Sequence, residues 1–149
     1  MSTARARGEV PLAPEPALRL WADVSRWPTF VEGFARVVEA DPAWPAREAR
    51  TVWESAPGRG RVSEKVVEVG PGLLAKMVFE ERLVGRQTFH AEPSERGSAV
   101  VLRFEYGLTK YGPLAPVADA LFVRRSVSSA LRRTLFRFGV EAEEEAGLR

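Results

Sequence analysis

Seventy-odd residues, from Ala35 to Leu108, carry short runs of apolar residues at strand spacing, no helical period, and a turn signal every eight to twelve positions. Asp41-Pro42 through Pro45, Pro57-Gly58-Arg59-Gly60, Gly70-Pro71-Gly72, Gly85 and Ser94-Glu95-Arg96-Gly97 divide the stretch into six strands, because glycine, proline and short polar residues adopt the backbone angles of tight turns. The spacing predicts strands near 35–40, 49–56, 61–69, 73–82, 86–92 and 99–109. Connections this short admit only antiparallel neighbours. Such a sheet has one apolar face to bury, and one later segment is long enough to cover it. From about Pro113 to about Glu145, Leu114, Val117, Leu121, Leu131, Leu135 and Phe138 recur at helical spacing.

That covering stripe is interrupted. Where the period calls for apolar side chains, Arg124, Arg125 and Ser128 stand instead. The expectation is a helix that seals the sheet at both ends and leaves a pocket under its middle. Upstream, Ala4, Ala6, Gly8, Val10 and Leu12 alternate with charged residues as a half-buried first strand. Pro14 and Pro16 stop it, and Ala17, Leu20, Trp21 and Val24 form a short amphipathic helix. Thr29 to Phe34 is expected as a second. The fold class is therefore α+β, a seven-stranded curved antiparallel sheet wrapped around a long C-terminal helix, with two short helices between strands 1 and 2.

The chain has 149 residues, 45% of them hydrophobic, which fits a single domain over 1–149. The four glutamates at 141, 143, 144 and 145 sit at the negative end of the helix dipole, so the tail from about 140 is expected to fray. There is no cysteine, which removes disulfides and thiolate metal sites and agrees with a reducing cytoplasm. The first residues lack the apolar core of a signal peptide, and no run reaches the length that spans a bilayer. The net charge of +2 does not describe a polycation, although Arg124, Arg125, Arg132, Arg133 and Arg137 cluster on the last helix.

Strand parity sorts the inner face. Pairing across the Pro57–Gly60 turn places Thr51, Trp53, Ser55, Val62, Glu64 and Val66 together; closing the next hairpin at Gly70–Gly72 extends that face through Ala75, Met77 and Phe79. Gln87, Phe89 and Ala91 continue it, and Val100, Leu102, Phe104, Tyr106 and Leu108 complete it. His90, the single histidine, falls on the outer face, so neither a histidine-based triad nor a histidine-ligated metal is expected, and no cofactor is implied.

Glu64 is the sharpest candidate. Facing inward near Trp53 and Met77, it is either a desolvated acid or base, or a carboxylate paired with Arg124 or Arg125. Thr51, Ser55, Gln87 and Tyr106 are polar groups in an apolar wall, the arrangement that orients a ligand, and equally one that satisfied core residues adopt. The candidate ligand-binding set is Thr51, Trp53, Ser55, Glu64, Met77, Phe79, Gln87, Phe89, Leu102, Phe104, Tyr106, Leu121, Arg124, Arg125 and Ser128. Catalytic candidates are Glu64, Tyr106 and Arg125. Trp27, Phe30 and Phe34 either gate the cavity or anchor the helix pair.

The run Ala13-Pro14-Glu15, Leu18, then Leu20-Trp21-Ala22-Asp23-Val24-Ser25-Arg26-Trp27-Pro28-Thr29-Phe30, with Gly112-Pro113-Leu114 after the strands, resembles the START-like, helix-grip (Bet v 1-like) superfamily. Within it the chain looks most like the polyketide cyclase/dehydrase and coenzyme Q-binding group. The resemblance implies a cavity for a lipid, isoprenoid, polyketide or aromatic molecule, and a role as a carrier, as a cyclase or aromatase, or as a ribosome- or RNA-associating toxin-like module. It transfers no catalytic residue. A homodimer is compatible with it.

Overall fold

The computed structural model describes residues 1–56 and 60–148; Pro57, Gly58 and Arg59 of the expected turn lie outside them. The elements run β1 (Ser2–Val10), α1 (Pro14–Ala22), a 3-10 turn (Val24–Arg26), α2 (Trp27–Phe30), β2 (Phe34–Ala40), β3 (Arg50–Ser55), β4 (Gly60–Gly70), β5 (Leu73–Phe79), β6 (Leu83–Ser94) and β7 (Gly97–Leu108). A 3-10 turn (Gly112–Leu114), α3 (Ala115–Ala118), a π turn (Asp119–Val123) and α4 (Arg124–Glu145) close the chain. The seven strands form one antiparallel sheet in the order β1-β7-β6-β5-β4-β3-β2. Only β1 is displaced from sequence order, crossing to pair with β7, and the chain then passes through α1, which packs on β6 and β7, and α2, which packs by β2, to reach the opposite edge.

Sheet curvature has visible causes. Register shifts interrupt the β2–β3 ladder twice and the β4–β5 ladder once, and each bulge bends its strand and raises the local twist. Gly85 permits a further close approach: a Cβ there would lie 2.5 Å from the Phe104 ring and 2.6 Å from the Glu105 carbonyl oxygen. The absence of a side chain lets Phe104 fold across β6 toward the interior.

The helix pair plugs one end. Ala17 N–H bonds the Ala13 carbonyl to start α1, with Pro14 and Pro16 in the first turn, where no amide partner is required. Asp23 then accepts from the Ser25 amide and hydroxyl, capping the turn that leads to α2. Trp27 and Phe30 are fully buried, so they anchor the pair. Trp21 stacks on Phe30 and Phe89 at 5.6 and 5.0 Å and meets the edge of Phe138. This cluster joins α1, α2, the sheet and α4 into one core, at about 0.5–1.5 kcal/mol per aromatic pair beyond area burial.

The second helix ends at Phe30 rather than Phe34, and Phe34 opens β2. The closing helix also departs from the expected stripe. Leu131, Leu135, Phe138 and Ala142 are buried against the sheet, but Leu114, Val117 and Leu121 are exposed. Their places are taken by Ala118, Asp119 and Val123, which point inward, because the π turn adds a residue and rotates the helix face. Where the tail was expected to fray, α4 is continuous to Glu145: Ala142 is wholly buried, and Arg26 bridges Glu141 at 3.5 Å and Glu145 at 2.8 Å. A cation from another element offsets the unfavourable carboxylates at this helix end.

Candidate functional site

A cavity of about 840 Å³ lies between the sheet and α4, within the range of small-molecule sites. Trp21, Trp27, Trp53, Val62, Val78, Leu83, Leu102 and Phe104 supply most of its apolar wall, and Ser126, Val127, Ala130, Leu131 and Thr134 of α4 form its roof. The exposed members of the lining, Ala56, Arg61, Glu81 and Ser126, mark the mouth at the β3–β4 and β5–β6 ends. The roof is therefore one turn later than the Arg124–Ser128 break. It is small-residue and hydroxyl in character, as a helix over a cavity rather than over a packed layer has to be.

Besides the Arg82–Glu80 pair, the wall holds a charged pair that is buried on both sides. Lys76 Nζ donates to Glu64 Oε1 at 2.7 Å, with Lys76 4% and Glu64 5% exposed. The ammonium also lies 4.6 Å from the Trp27 ring centre, 5.5 Å from Trp21 and 6.0 Å from Trp44, so ring faces hold the positive charge where water is excluded. Two of those rings are themselves fixed: Trp27 Nε1 donates to the Trp21 carbonyl and Trp44 Nε1 to the Ala22 carbonyl. Across the ladder from Lys76 sits Gln87. Gln87 Oε1 and Trp53 Nε1, both from cavity-lining residues, are buried without a hydrogen-bond partner among the described residues.

Lys76 was missing from the expected face, and a single extra residue explains why. Near the hairpin, Gly70 pairs with Leu73 and Glu68 with Ala75; beyond the bulge at Val67, Val66 pairs with Lys76 and Glu64 with Val78. Without the bulge, Val66 would oppose Met77. The extra residue in β4 gives all of β5 the opposite parity to the expected one, so Leu74, Lys76 and Val78 face inward while Met77 and Phe79 turn to the other side, Phe79 being 44% exposed. Met77 and Phe79 therefore do not line the cavity. The available signal was a lone lysine in the apolar run Leu73–Phe79, since an unpaired charge there has to find a partner.

The other candidates divide. Trp53, Ser55, Glu64, Gln87, Leu102 and Phe104 meet at the cavity. The β3–β4 register is Thr51↔Glu64 and Trp53↔Val62, two residues from the expected pairing, which preserves parity. Thr51 and Phe89 are inward and buried but belong to the packed core, Phe89 beneath Trp21. Leu121, Arg124, Arg125 and Ser128 are not in the lining. Leu121 and Arg125 are exposed, and Arg124 reaches Asp119 at 3.3 Å. Glu64 is thus paired, as a buried carboxylate has to be, but with Lys76 rather than with Arg124 or Arg125. His90 faces outward beside Glu92.

Tyr106 is inward but engaged elsewhere. Its hydroxyl donates to Asp119 Oδ1 at 2.7 Å, Ser2 Oγ donates to Oδ2 at 2.5 Å, and Arg124 approaches Oδ2 as well. Burial, reinforced by the Asp119 hydrogen bond and charge, pushes the Tyr106 hydroxyl up to about 12. Burial alone would raise Asp119, but the three donors outweigh it and hold the carboxyl below its ordinary range. This clasp ties the π turn to β1 and β7; it offers the cavity no acid or base.

Residues 1–143 match the family model described as polyketide cyclase / dehydrase and lipid transport. The chain belongs to that family. No curated protein sequence matches it. Among solved structures, a protein of Thermus thermophilus superposes with a TM-score of 0.74 at 18% identity, covering 97% of this chain and 99% of its own. The di-domain ARO/CYC StfQ of the steffimycin biosynthetic pathway gives 0.73 at 18% identity, over 97% of this chain and 51% of that one. Norcoclaurine synthase of Thalictrum flavum, solved with a transition state analogue, gives 0.69 at 13% identity, over 97% and 96%. At these identities the likeness is one of fold, the helix-grip arrangement of sheet and C-terminal helix. Family membership supports ligand binding or a cyclase role in general terms.

Proposed function

We propose that this chain binds a hydrophobic, ring-containing small molecule bearing at least one oxygen, held between the sheet and α4. The observation that carries the reading is the polar set in an apolar wall: Trp53 Nε1 and Gln87 Oε1 without partners among the described residues, beside a lysine pinned by one carboxylate. A buried donor or acceptor left unmade costs about 1–3 kcal/mol. A ligand oxygen that takes the indole N–H or a lysine N–H, and a ligand hydroxyl that reaches Gln87, recover that cost and fix orientation, while the rings supply affinity. A cytoplasmic location belongs to the same proposal and rests on the lack of cysteine. Among the described residues no helix is long and apolar enough to cross a membrane.

Paired titrations with 2-naphthol and naphthalene test this. Naphthol is expected to bind more tightly, and Gln87→Leu to weaken naphthol by about tenfold while sparing naphthalene. Binding of neither compound, together with native mass spectra free of any co-purified apolar molecule, would refute the proposal.

One observation favours a second reading, a cyclase or aromatase type of enzyme. Glu64 and Lys76 place a proton acceptor and a cationic donor side by side, both buried in the cavity wall, the pair needed to remove a proton next to a ligand carbonyl and hold the oxygen charge that develops. Tyr106, Arg124 and Arg125 have no part in this version. As for a ribosome- or RNA-binding role, three of the five helix arginines are opposed by carboxylates, Arg133 and Arg137 by Glu32 and Arg124 by Asp119.

A further inference from the structure

The opening turns of the closing helix carry an apolar face that nothing in the fold covers. Leu114, Val117, Leu121 and Phe122 are 65, 55, 66 and 70% exposed, whereas Ala118, Asp119 and Val123 of the same segment are buried, so the four stand on its outward side. Tyr111, also exposed, precedes them. The cause lies beneath: Ala118, Asp119 and Val123 occupy the inward side, with Asp119 held by Tyr106, Ser2 and Arg124. The larger apolar residues are thereby fixed outward. Isolated exposed leucines are ordinary on soluble domains, but four together with an aromatic residue are not.

The segment that carries this face is predominantly basic. Between Thr109 and Val140 the only acid is the buried Asp119, whereas Lys110, Arg124, Arg125, Arg132, Arg133 and Arg137 are all basic. Lys110 meets Glu81, Arg124 meets Asp119, and Arg133 and Arg137 meet Glu32. Arg125, one turn after Leu121, is exposed and has no carboxylate within ion-pair reach among the described residues. The face also adjoins the cavity mouth. Thr109 bonds the carbonyls of Arg82 and Glu81, both of which line the mouth, and Ser126 of the roof lies one turn after Phe122.

We infer that this face docks on an anionic lipid bilayer, with Leu114, Val117, Leu121 and Phe122 entering the boundary between headgroups and acyl chains and Arg125 meeting lipid phosphate. Apolar side chains flanked by arginine are what an interfacial helix presents. A second copy of the chain fits less well, since a two-fold pairing of this face brings like charges together. The inference builds on the small-molecule reading in purpose, because docking would set the cavity mouth at the phase where apolar ligands dissolve, but its evidence is separate.

Co-sedimentation of the full chain with vesicles of phosphatidylcholine, and of phosphatidylcholine mixed with phosphatidylglycerol, tests it. The expected result is binding to the mixed vesicles that falls with added salt. The double variant Leu121→Ser/Phe122→Ser should weaken it by roughly tenfold or more, and Arg125→Glu by about fivefold or more. Both variants should keep the wild-type melting temperature and naphthol affinity, which separates failure of docking from failure of the cavity. Wild-type protein that stays in the supernatant with mixed vesicles, or variants that sediment as well as wild type, would overturn the inference. So would a concentration-dependent dimer abolished by the double variant in the absence of vesicle binding.

Discussion

Replacing Lys76 by methionine separates the structural and functional sides of the buried pair. Methionine keeps most of the lysine stem's packing against Trp21 and Trp27 but leaves Glu64, 5% exposed, without the cation at 2.7 Å. Breaking one side of a buried ion pair costs about 3–5 kcal/mol, which for a chain of this length lowers the melting temperature by about 10–15 °C. Glu64→Leu should cost less, by about 1 kcal/mol, because the stranded ammonium still lies over the Trp27 face. The double variant Lys76→Met/Glu64→Leu should return to within about 1 kcal/mol of wild type, since two apolar side chains of similar volume remove both desolvation penalties. Urea unfolding followed by tryptophan fluorescence measures all four proteins, and naphthol titration of the double variant gives the second axis. Restored stability with lost naphthol discrimination would mark the pair as kept for its ligand. A Lys76→Met cost below about 1 kcal/mol, or a double variant as unstable as the sum of the singles, would refute the reasoning from desolvation.

Two further outcomes follow from named contacts. Asp119, whose folded-state value lies below the ordinary 3.8, contributes stability that is full above that value and is lost as pH falls through the lower folded one. Asp119→Asn should therefore cost about 1–3 kcal/mol at neutral pH and flatten the acid limb of a stability-against-pH curve; an unchanged acid limb counts against the clasp. Gly85→Ala forces a methyl to 2.6 Å from the Glu105 carbonyl, a backbone atom that cannot rotate away, so a loss of about 2–3 kcal/mol is expected, with the β6–β7 amides losing hydrogen-exchange protection first. An unaltered melting temperature would show that the strands separate there without penalty.

Much of this architecture could be read along the chain because its determinants are local. Turn residues at Gly70-Pro71-Gly72 and Ser94–Gly97 reflect backbone preference, the alternation from Val100 to Leu108 is a period of two, and Leu131, Leu135 and Phe138 repeat at helical spacing; none requires knowledge of a distant residue. Parity even survived a two-residue error at β3–β4, so Trp53, Glu64, Gln87 and Phe104 reached the cavity as expected. The composition of the site was decided elsewhere. A bulge at Val67 is a property of the β4–β5 ladder as a whole, and it exchanged Met77 and Phe79 for Lys76. The π turn at Asp119–Val123 answers to hydrogen bonds from Ser2 and Tyr106, 117 and 13 residues away, and it moved the roof from Arg124–Arg125 to Ser126–Thr134 while turning Leu114, Val117 and Leu121 to solvent. The sequence alone determined which segments become strands and helix. Which face each residue shows at a one-residue irregularity was decided only in three dimensions, because a shift of one is nearly free along the chain and is set by the partners it brings within reach.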